Sequence, residues 1–167
     1  TPTPTPTPFP TISPIVESAN HLHAGLEFAQ EGRLDEAVDA FTEAIQLNPE
    51  DTQAYIERGQ AYGNLGELQL AINDFSRAID LDPQIADVYQ HRGYAYGLLG
   101  QHQRALQDFS QAIRIGAQST EAYFGRALAH RSLNQHKQAV WDSTQAILLN
   151  PEYGDAFFLR GLSYGLV

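Results

Sequence analysis

Histidine, arginine and acidic side chains are the residues of this chain that could do chemistry, since the sequence contains no cysteine. The six histidines are His21, His23, His91, His102, His130 and His136. Helical zinc sites often place two histidines four residues apart, and no two of these six have that spacing. Transition-metal sites also need three or four converging ligands. We therefore expect no metal and no other cofactor.

Catalytic motifs are also missing from the sequence. No serine or histidine lies in the Gly-x-Ser-x-Gly context of a nucleophile elbow, and the glycines do not form a phosphate-binding loop. Without cysteine, thiol chemistry and disulfides are excluded. The sequence therefore predicts that the protein is not an enzyme.

Four arginines and three aspartates recur at a fixed spacing of 34 residues. They are Arg58, Arg92, Arg126 and Arg160, and Asp74, Asp108 and Asp142. If antiparallel helices carry them, ion pairs could form within a unit (Arg58 with Asp74) or between neighbouring units (Asp74 with Arg92). The equivalent positions nearer the N-terminus are both alanine, Ala24 and Ala40, and this joint absence favours pairing within a unit. We interpret the pairs as structural rather than ligand-binding, because regular internal charges usually bridge helices.

The same spacing organises nearly the whole chain. Asn48-Pro49, Asp82-Pro83 and Asn150-Pro151 lie one and then two periods apart. With units counted from Ser18, small residues recur at the eighth position: Gly25, Gly59, Gly93, Ala127 and Gly161. Phenylalanines share the twenty-fourth position: Phe41, Phe75 and Phe109, with Ser143 in the fourth unit. A fixed period of this length indicates stacked repeats.

This pattern resembles the tetratricopeptide repeat (TPR) family. The second unit, TQAYIERGQAYGNLGELQLAINDFSRAIDLDP, carries glycine, tyrosine, alanine, phenylalanine and proline in the family's order. The resemblance covers residues 18–167 and implies an all-α, right-handed superhelical solenoid of helix-turn-helix repeats. It divides into four TPR units and a fifth helix A: 18–51, 52–85, 86–119, 120–153 and a partial unit, 154–167.

Each unit is expected to form a helix A and a helix B. The predicted helices are 18–30, 33–47, 52–64, 67–81, 86–98, 101–114, 120–132, 135–148 and 154–166. The Asn-Pro and Asp-Pro pairs should end B helices, because proline excludes its predecessor from the helical region. The third unit has no such proline, and we expect Gly116 to end its B helix in a left-handed conformation.

Residues 1–17 are predicted to be a Pro/Thr-rich tether. The run TPTPTPTPFPTISP favours polyproline II and cannot join a packed core. Such a segment commonly lies between a signal peptide or lipid anchor and an exported domain, although a linker between cytoplasmic domains has the same composition. We favour an exported or membrane-tethered location. At about 3.1 Å per residue the run could reach a groove, so the Thr-Pro run or Phe9 could lie against a concave face. The alternative is that contacts unrelated to ligand binding hold this segment in place.

The net charge of −10 excludes nucleic acid as an expected partner, because phosphates would be repelled. Nine acids and one base, Arg33, lie between Glu17 and Asp51. We interpret Asp35, Glu36, Asp39 and Glu43 as a solvated helix face rather than an acidic docking site. No apolar stretch is long enough to predict a membrane span.

The resemblance also implies a concave groove lined by helix A positions 2, 5, 9, 12 and 13. Its apolar members would be Leu22, Leu26, Ile56, Tyr94, Phe124, Leu128, Phe158 and Leu162. Its polar members would be Gln60, Asn64, Asp87, Gln90, Glu121 and Arg131. An exposed apolar row often marks an interaction site. The alternative is that these side chains pack against one another across a tightly curved stack.

The carboxylate clamp of chaperone co-factors, in the same family, uses lysine, asparagine and arginine in this groove. The matching positions here hold Leu22, Leu26, Gln60, Asp87 and His91, so we do not expect a chaperone tail. We predict a protein-protein interaction module or scaffold that binds an extended or helical segment with apolar and basic residues. The alternative is a structural protein that forms homo-oligomers through its groove or C-terminal helix.

The last helix is predicted to have no helix B covering it. Solenoids normally finish with a polar cap, so Phe157, Tyr164 and Val167 should leave apolar surface exposed. We expect this end either to meet a second copy or to have lost a following helix.

Overall fold

The computed structural model describes residues 13–116 and 118–166, and every regular element in those ranges is an α-helix. The helices are α1 (Pro14–Gln30), α2 (Leu34–Leu47), α3 (Thr52–Leu65), α4 (Leu68–Leu81), α5 (Ala86–Leu98), α6 (His102–Ile115), α7 (Thr120–Ser132), α8 (His136–Leu149) and α9 (Gly154–Tyr164). The odd-numbered helices are the A helices and the even-numbered ones the B helices. The predicted all-α repeat solenoid is confirmed. The predictions for the Thr-Pro run, Phe9 and Val167 lie outside the described residues.

The first helix starts earlier than predicted. It begins at Pro14 rather than at residue 18, so residues 14–17 belong to α1 and not to the tether. Proline is favoured at the first position of a helix because its φ is already suitable and its missing N–H would be unpaired there. Ser13 precedes it in an extended conformation, with φ −60° and ψ 139°.

The predicted ends of the B helices are confirmed. Helices α2, α4 and α8 stop before Asn48, Asp82 and Asn150, and these three residues have φ between −136° and −141°. Each side chain accepts a hydrogen bond from the backbone N–H two residues later, at 3.3, 2.9 and 3.1 Å. Helix α6 ends at Ile115 and is capped by Gly116, whose φ is positive, as expected, but at +136° lies beyond the left-handed helical value.

Within each of the first three units, a phenylalanine of helix B packs against a glycine of helix A. Phe75 is 3% exposed, and a Cβ at Gly59 would lie 2.7 Å from its ring. Phe109 is 2% exposed, and a Cβ at Gly93 would lie 3.2 Å from its ring. The small residues therefore let the aromatic ring fill the space between the helices of one unit.

The stack curves with the A helices on the inside. The A helices of successive units contact each other, from α1 with α3 to α7 with α9. Among the described residues no two B helices bring their Cα atoms within 8 Å of each other. The inner surface is therefore built from A helices. No described helix is long and apolar enough to cross a membrane.

Candidate functional site

Three arginine–aspartate pairs repeat through the stack in the predicted intra-unit arrangement. In the second unit, Arg58 Nε donates to Asp74 Oδ2 at 2.8 Å and its Nη2 donates to Asp74 Oδ1 at 2.8 Å. Arg92 with Asp108 and Arg126 with Asp142 form the same two-bond pairs, at 2.7–2.9 Å. Pairing between neighbouring units, the alternative, does not occur in these three cases.

Two of these arginines also reach the preceding unit. Arg58 Nη1 donates to Thr42 Oγ1 and Arg92 Nη1 donates to Ser76 Oγ, both at 3.0 Å. Hydrogen bonding to Asp74 raises the pKa of Arg58. The guanidinium groups of Arg58 and Arg92 are thus hydrogen-bonded within the fold, which supports a structural role for both arginines.

The acidic residues of the first unit lie on the surface, as expected for a solvated face. Asp35, Glu36, Asp39 and Glu43 are all exposed. Glu36 pairs with Arg33 at 3.0 Å, and both side chains are about half exposed. An exposed pair of this kind contributes little to stability.

The predicted groove residues of the first two units mostly pack inside the stack. Ile56 is 7% exposed and lies in a cluster with Phe75 and Val88. Leu22 and Leu26 are half-buried and pack against the cluster around Phe41. The close approach of successive A helices places these three side chains in contact with the core.

Polar groups predicted to face a ligand instead join the third and fourth units. Gln90 is 9% exposed, and its Nε2 donates to Asp87 Oδ1 at 3.0 Å. Its Oε1 accepts from Ser119 Oγ at 3.0 Å. The half-buried Tyr94 donates its hydroxyl to the backbone carbonyl of Glu121 at 2.8 Å, and burial raises its pKa. The side chain of Gln90 is therefore engaged within the fold and is not free to contact a ligand.

The remaining predicted residues are spread from the second unit to α9. Phe158 is 69% exposed, and Leu128 and Leu162 are each 38% exposed. Phe124 is partly buried edge-on against Tyr153, with ring centroids 5.1 Å apart. Asn64, Asp87 and Glu121 are exposed, whereas Gln60 and Arg131 are partly buried.

Two adjoining cavities on the inner face share Tyr94 and Leu98. The first, of about 240 Å³, is lined by Gly93, Tyr94, Gly97, Leu98, His102, Ala105, Phe109, Gly125, Leu128, Ala129 and Ser132. The second, of about 230 Å³, is lined by Gln60, Gly63, Asn64, Leu68, Phe75, His91, Tyr94, Ala95 and Leu98. Leu98 is 75% exposed between them. We call this pair of cavities the central groove.

Leu98, Gly63 and Gly97 were missed by the sequence prediction. Leu98 has the same position in its unit as Asn64, and the two glycines have that of Arg131, so the repeat register could have identified them. A Cβ at Gly63 or Gly97 would meet nothing within 4 Å. Packing within the fold therefore does not require glycine at either position, and both leave open space at the floor of the groove.

The rim of the central groove is acidic on one side. A neighbouring concavity of about 300 Å³ is lined by Asp87, Gln90, His91, Tyr94, Ser119 and Glu121. His91 stacks on Phe75 with ring centroids 5.6 Å apart, and burial lowers its pKa. The neutral form of the His91 imidazole is thus favoured. The negative charge of the rim comes from Asp87 and Glu121. Within residues 13–116 and 118–166, no cluster of three or more histidine, aspartate and glutamate side chains could hold a metal ion.

Several solved structures share this fold. A crystal structure of MamA protein is 22% identical, with a TM-score of 0.86 over 90% of this chain and 82% of that chain. YrrB, described as a TPR protein with an unusual peptide-binding site, is 20% identical, with a TM-score of 0.80 over 89% and 76%. The first TPR of Spaghetti (RPAP3), bound to HSP90 peptide SRMEEVD, is 22% identical, with a TM-score of 0.70 over 72% and 95%. At these identities the similarity shows the fold alone.

Family models match most of the repeat region. A TPR repeat model matches residues 25–66, and three tetratricopeptide repeat models match residues 52–85, 75–107 and 120–153. No curated protein matches the sequence. Two of the matched segments, 52–85 and 120–153, coincide with units of the stack. Together the four matches cover most of the sequence, and the chain therefore belongs to the tetratricopeptide repeat family.

Proposed function

We propose that the protein is an interaction module whose central groove binds a peptide segment, extended or helical, with apolar and basic residues. The observation that carries this proposal is Leu98, a large apolar side chain 75% exposed between two cavities. A contiguous apolar patch rimmed by polar groups is typical of an interaction site. A ligand side chain inserted beside Leu98 would shield this leucine from water.

The two glycines support binding at close range. Gly63 and Gly97 lie in the last turns of α3 and α5, where glycine still costs helix propensity relative to alanine, and neither has a packing reason in the free protein. Without a Cβ, α3 and α5 allow a ligand backbone to approach the helix surface. Close approach of a ligand would therefore explain why glycine is present at both positions despite its lower helix propensity.

The charge of the rim supports a basic rather than an acidic ligand. Asp87 and Glu121 are exposed beside Tyr94, and the chain carries a net charge of −10. Two structures of similar fold are described as peptide-binding or peptide-bound. The bound heptapeptide SRMEEVD is acidic at its end, a chemistry that this rim would repel.

Selection from a random library of short peptides tests the proposal. The wild-type protein should enrich peptides that combine leucine, isoleucine or aromatic residues with lysine or arginine. Leu98→Glu should abolish this enrichment, because it places a charge on the apolar floor. Leu148→Glu is the matched control, since Leu148 is 69% exposed on the B helix α8, away from the groove.

Titration of one selected peptide then separates the rim from the floor. Asp87→Asn combined with Glu121→Gln should weaken binding and reduce its dependence on salt. Equal loss of binding in Leu98→Glu and Leu148→Glu, or enrichment of acidic peptides, would contradict the proposal.

Self-assembly is the second candidate function. The observation that favours it is the apolar surface of α9 and the residues after it, where Phe158, Tyr164 and Leu166 are 69%, 61% and 59% exposed. Sedimentation velocity over a range of protein concentrations tests it. A species that grows with concentration supports self-assembly, and a monomer at every concentration excludes it.

A further inference from the structure

The outer face of α8 differs from the outer faces of the other B helices. Trp141, the only tryptophan of the chain, is 54% exposed there, and Leu148 is 69% exposed. Seven residues make almost two helical turns, so both side chains lie on the same side of α8. The equivalents of Trp141 are Asp39, Asn73 and Gln107, and those of Leu148 are Gln46, Asp80 and Arg114. The fourth unit therefore has large apolar side chains where the first three units have polar ones.

The exposure of these two positions does not depend on where they lie in the stack. Their equivalents on α4 and α6 have a complete unit on either side and are also exposed: Asn73, Asp80, Gln107 and Arg114. The ring of Trp141 meets that of Tyr123 edge-on, with centroids 6.1 Å apart, and its residue is still more than half exposed. Packing within the stack therefore gives no reason for Trp141 and Leu148 to be apolar.

The outer face of α8 also lacks exposed acidic residues. The one carboxylate of this helix, Asp142, is 1% exposed and pairs with Arg126. Helix α2, in contrast, exposes Asp35, Glu36, Asp39 and Glu43. Because the chain has a net charge of −10, two copies that meet through such acidic faces repel each other. Two copies that meet through α8 avoid this repulsion.

The residues of this face are complementary to themselves in an antiparallel pair of α8 helices. Trp141 lies four residues after Lys137, and Leu148 lies four residues before Glu152. The register that sets Trp141 opposite Leu148 of a second copy therefore also sets Lys137 opposite Glu152 of that copy. Lys137 and Glu152 are both exposed, and Glu152 lies in the turn that follows α8. A two-fold axis makes each of these contacts twice.

We propose that the outer face of α8 is the interface of a two-fold dimer, in which the α8 helices of two copies pack antiparallel. Trp141 and Leu148 form its apolar centre, and Lys137 pairs with Glu152 of the second copy at each end. Such an interface closes at two chains. It does not involve the inner face, so both central grooves stay open. A ligand with two binding segments would then bind more tightly to the dimer than to a monomer.

Sedimentation velocity from about 1 μM to about 1 mM protein tests the dimer. We expect a monomer–dimer equilibrium. The fluorescence of Trp141 should shift to shorter wavelength as the concentration rises, because its indole leaves water and no other tryptophan contributes. Trp141→Gln and Leu148→Arg, which introduce the residue types of the third unit, should each weaken dimerisation about tenfold or more.

Two further variants separate this interface from other apolar surfaces. Leu70→Gln is the matched control, since Leu70 is 42% exposed on the B helix α4, and it should leave dimerisation unchanged. Phe158→Gln on α9 should also leave it unchanged. Circular dichroism should show that all variants are folded. A dimer that is lost in Phe158→Gln and kept in Trp141→Gln would assign the contact to α9 and overturn the proposal.

Charge reversal tests the antiparallel register. Lys137→Glu and Glu152→Lys should each weaken the dimer several-fold, because each sets like charges opposite one another. A mixture of these two variants should associate more strongly than either variant alone, since each copy then supplies the charge that the other lacks. The proposal is overturned by a mixture that associates no better, by a monomer at every concentration, or by a dimer that persists in Trp141→Gln. Growth beyond two chains that Trp141→Gln prevents would indicate a head-to-tail contact and would also overturn it.

Discussion

The guanidinium of Arg92 shows how one side chain can link three helices. It donates two hydrogen bonds to Asp108 on α6 and one to Ser76 on α4. The rings of Tyr89 and Tyr96 lie 5.7 and 5.8 Å from its centre. Because Arg92 and Asp108 are 18% and 8% exposed, neither charge is well solvated. Each member therefore depends on the other.

Replacing Asp108 with alanine should destabilise the protein by about 3 kcal/mol, because it leaves a partly buried arginine without its counter-charge. The free energy of unfolding in urea measures this. Glu36→Ala is the control, since it breaks an exposed pair with Arg33 and should change the stability much less. Similar effects of the two substitutions would show that Arg92 finds another partner or water.

His91 should make the stability fall as the pH is lowered through its ordinary pKa of about 6.5. His91 is exposed as a whole, but its ring stacks on Phe75, and this partial desolvation lowers its pKa in the folded protein. The unfolded chain therefore takes up the proton first, and acidification favours unfolding. The urea midpoint should drop more between about pH 7.5 and about pH 5 in the wild type than in His91→Gln. Equal drops would assign the pH dependence to other groups.

At the scale of single helices, α3 contains two glycines that have different roles although they lie four residues apart. A Cβ at Gly59 would lie 2.7 Å from the ring of Phe75, whereas one at Gly63 would meet nothing within 4 Å. Gly59 is needed for packing between α3 and α4. Gly63 belongs to the central groove and only weakens its helix.

Gly63→Ala should therefore stabilise the protein by about 0.5–1 kcal/mol through higher helix propensity. Gly59→Ala should destabilise it by about 1–3 kcal/mol, because the Phe75 ring must move. Thermal unfolding of the two variants measures the difference. Stabilisation by both would show that the ring shifts without cost.

The helices were largely predictable from the sequence because their signals are local. Asn48, Asp82 and Asn150 end B helices through the proline that follows them, and the structure places those ends as predicted. The start of α1 was wrong because composition alone made Pro14 part of the tether. Its position at the beginning of an amphipathic segment carried the better signal.

The groove was less predictable because exposure depends on distances between units. Ile56 and Leu128 occupy groove positions of the repeat, yet Ile56 is 7% exposed and Leu128 is 38% exposed. The repeat register gives the direction of a side chain but not how closely the next A helix approaches. Leu98 and Gly63 are open for the same reason: their neighbours are small or distant.

At the scale of the whole molecule, the ion pairs are unevenly distributed. The first unit has Ala24 and Ala40 in place of the pair, and Arg160 on α9 lacks a carboxylate partner among the described residues. The second and third units have both the intra-unit pair and the bond to the preceding unit. The middle of the stack is therefore the most strongly connected part.

Hydrogen exchange should follow this distribution. In a solenoid, stability is roughly the sum of each unit and its interfaces, so local unfolding starts at the weaker ends. We expect the slowest exchange in α3 to α6 and the fastest in α1 and α9, measured by mass spectrometry of peptic fragments. Uniform protection would show that all units unfold together.

Successive units are joined mainly by the packing of each B helix on the following A helix, and the A helices approach one another more sparsely along the inner face. Small rotations between neighbouring units would therefore change the width of the central groove, which lies between successive A helices. A ligand that contacts both α5 and α7 would hold the third and fourth units in one relative orientation. The curvature of the whole stack would then depend on whether a ligand occupies the groove. Small-angle scattering would record a change in curvature as an altered radius of gyration.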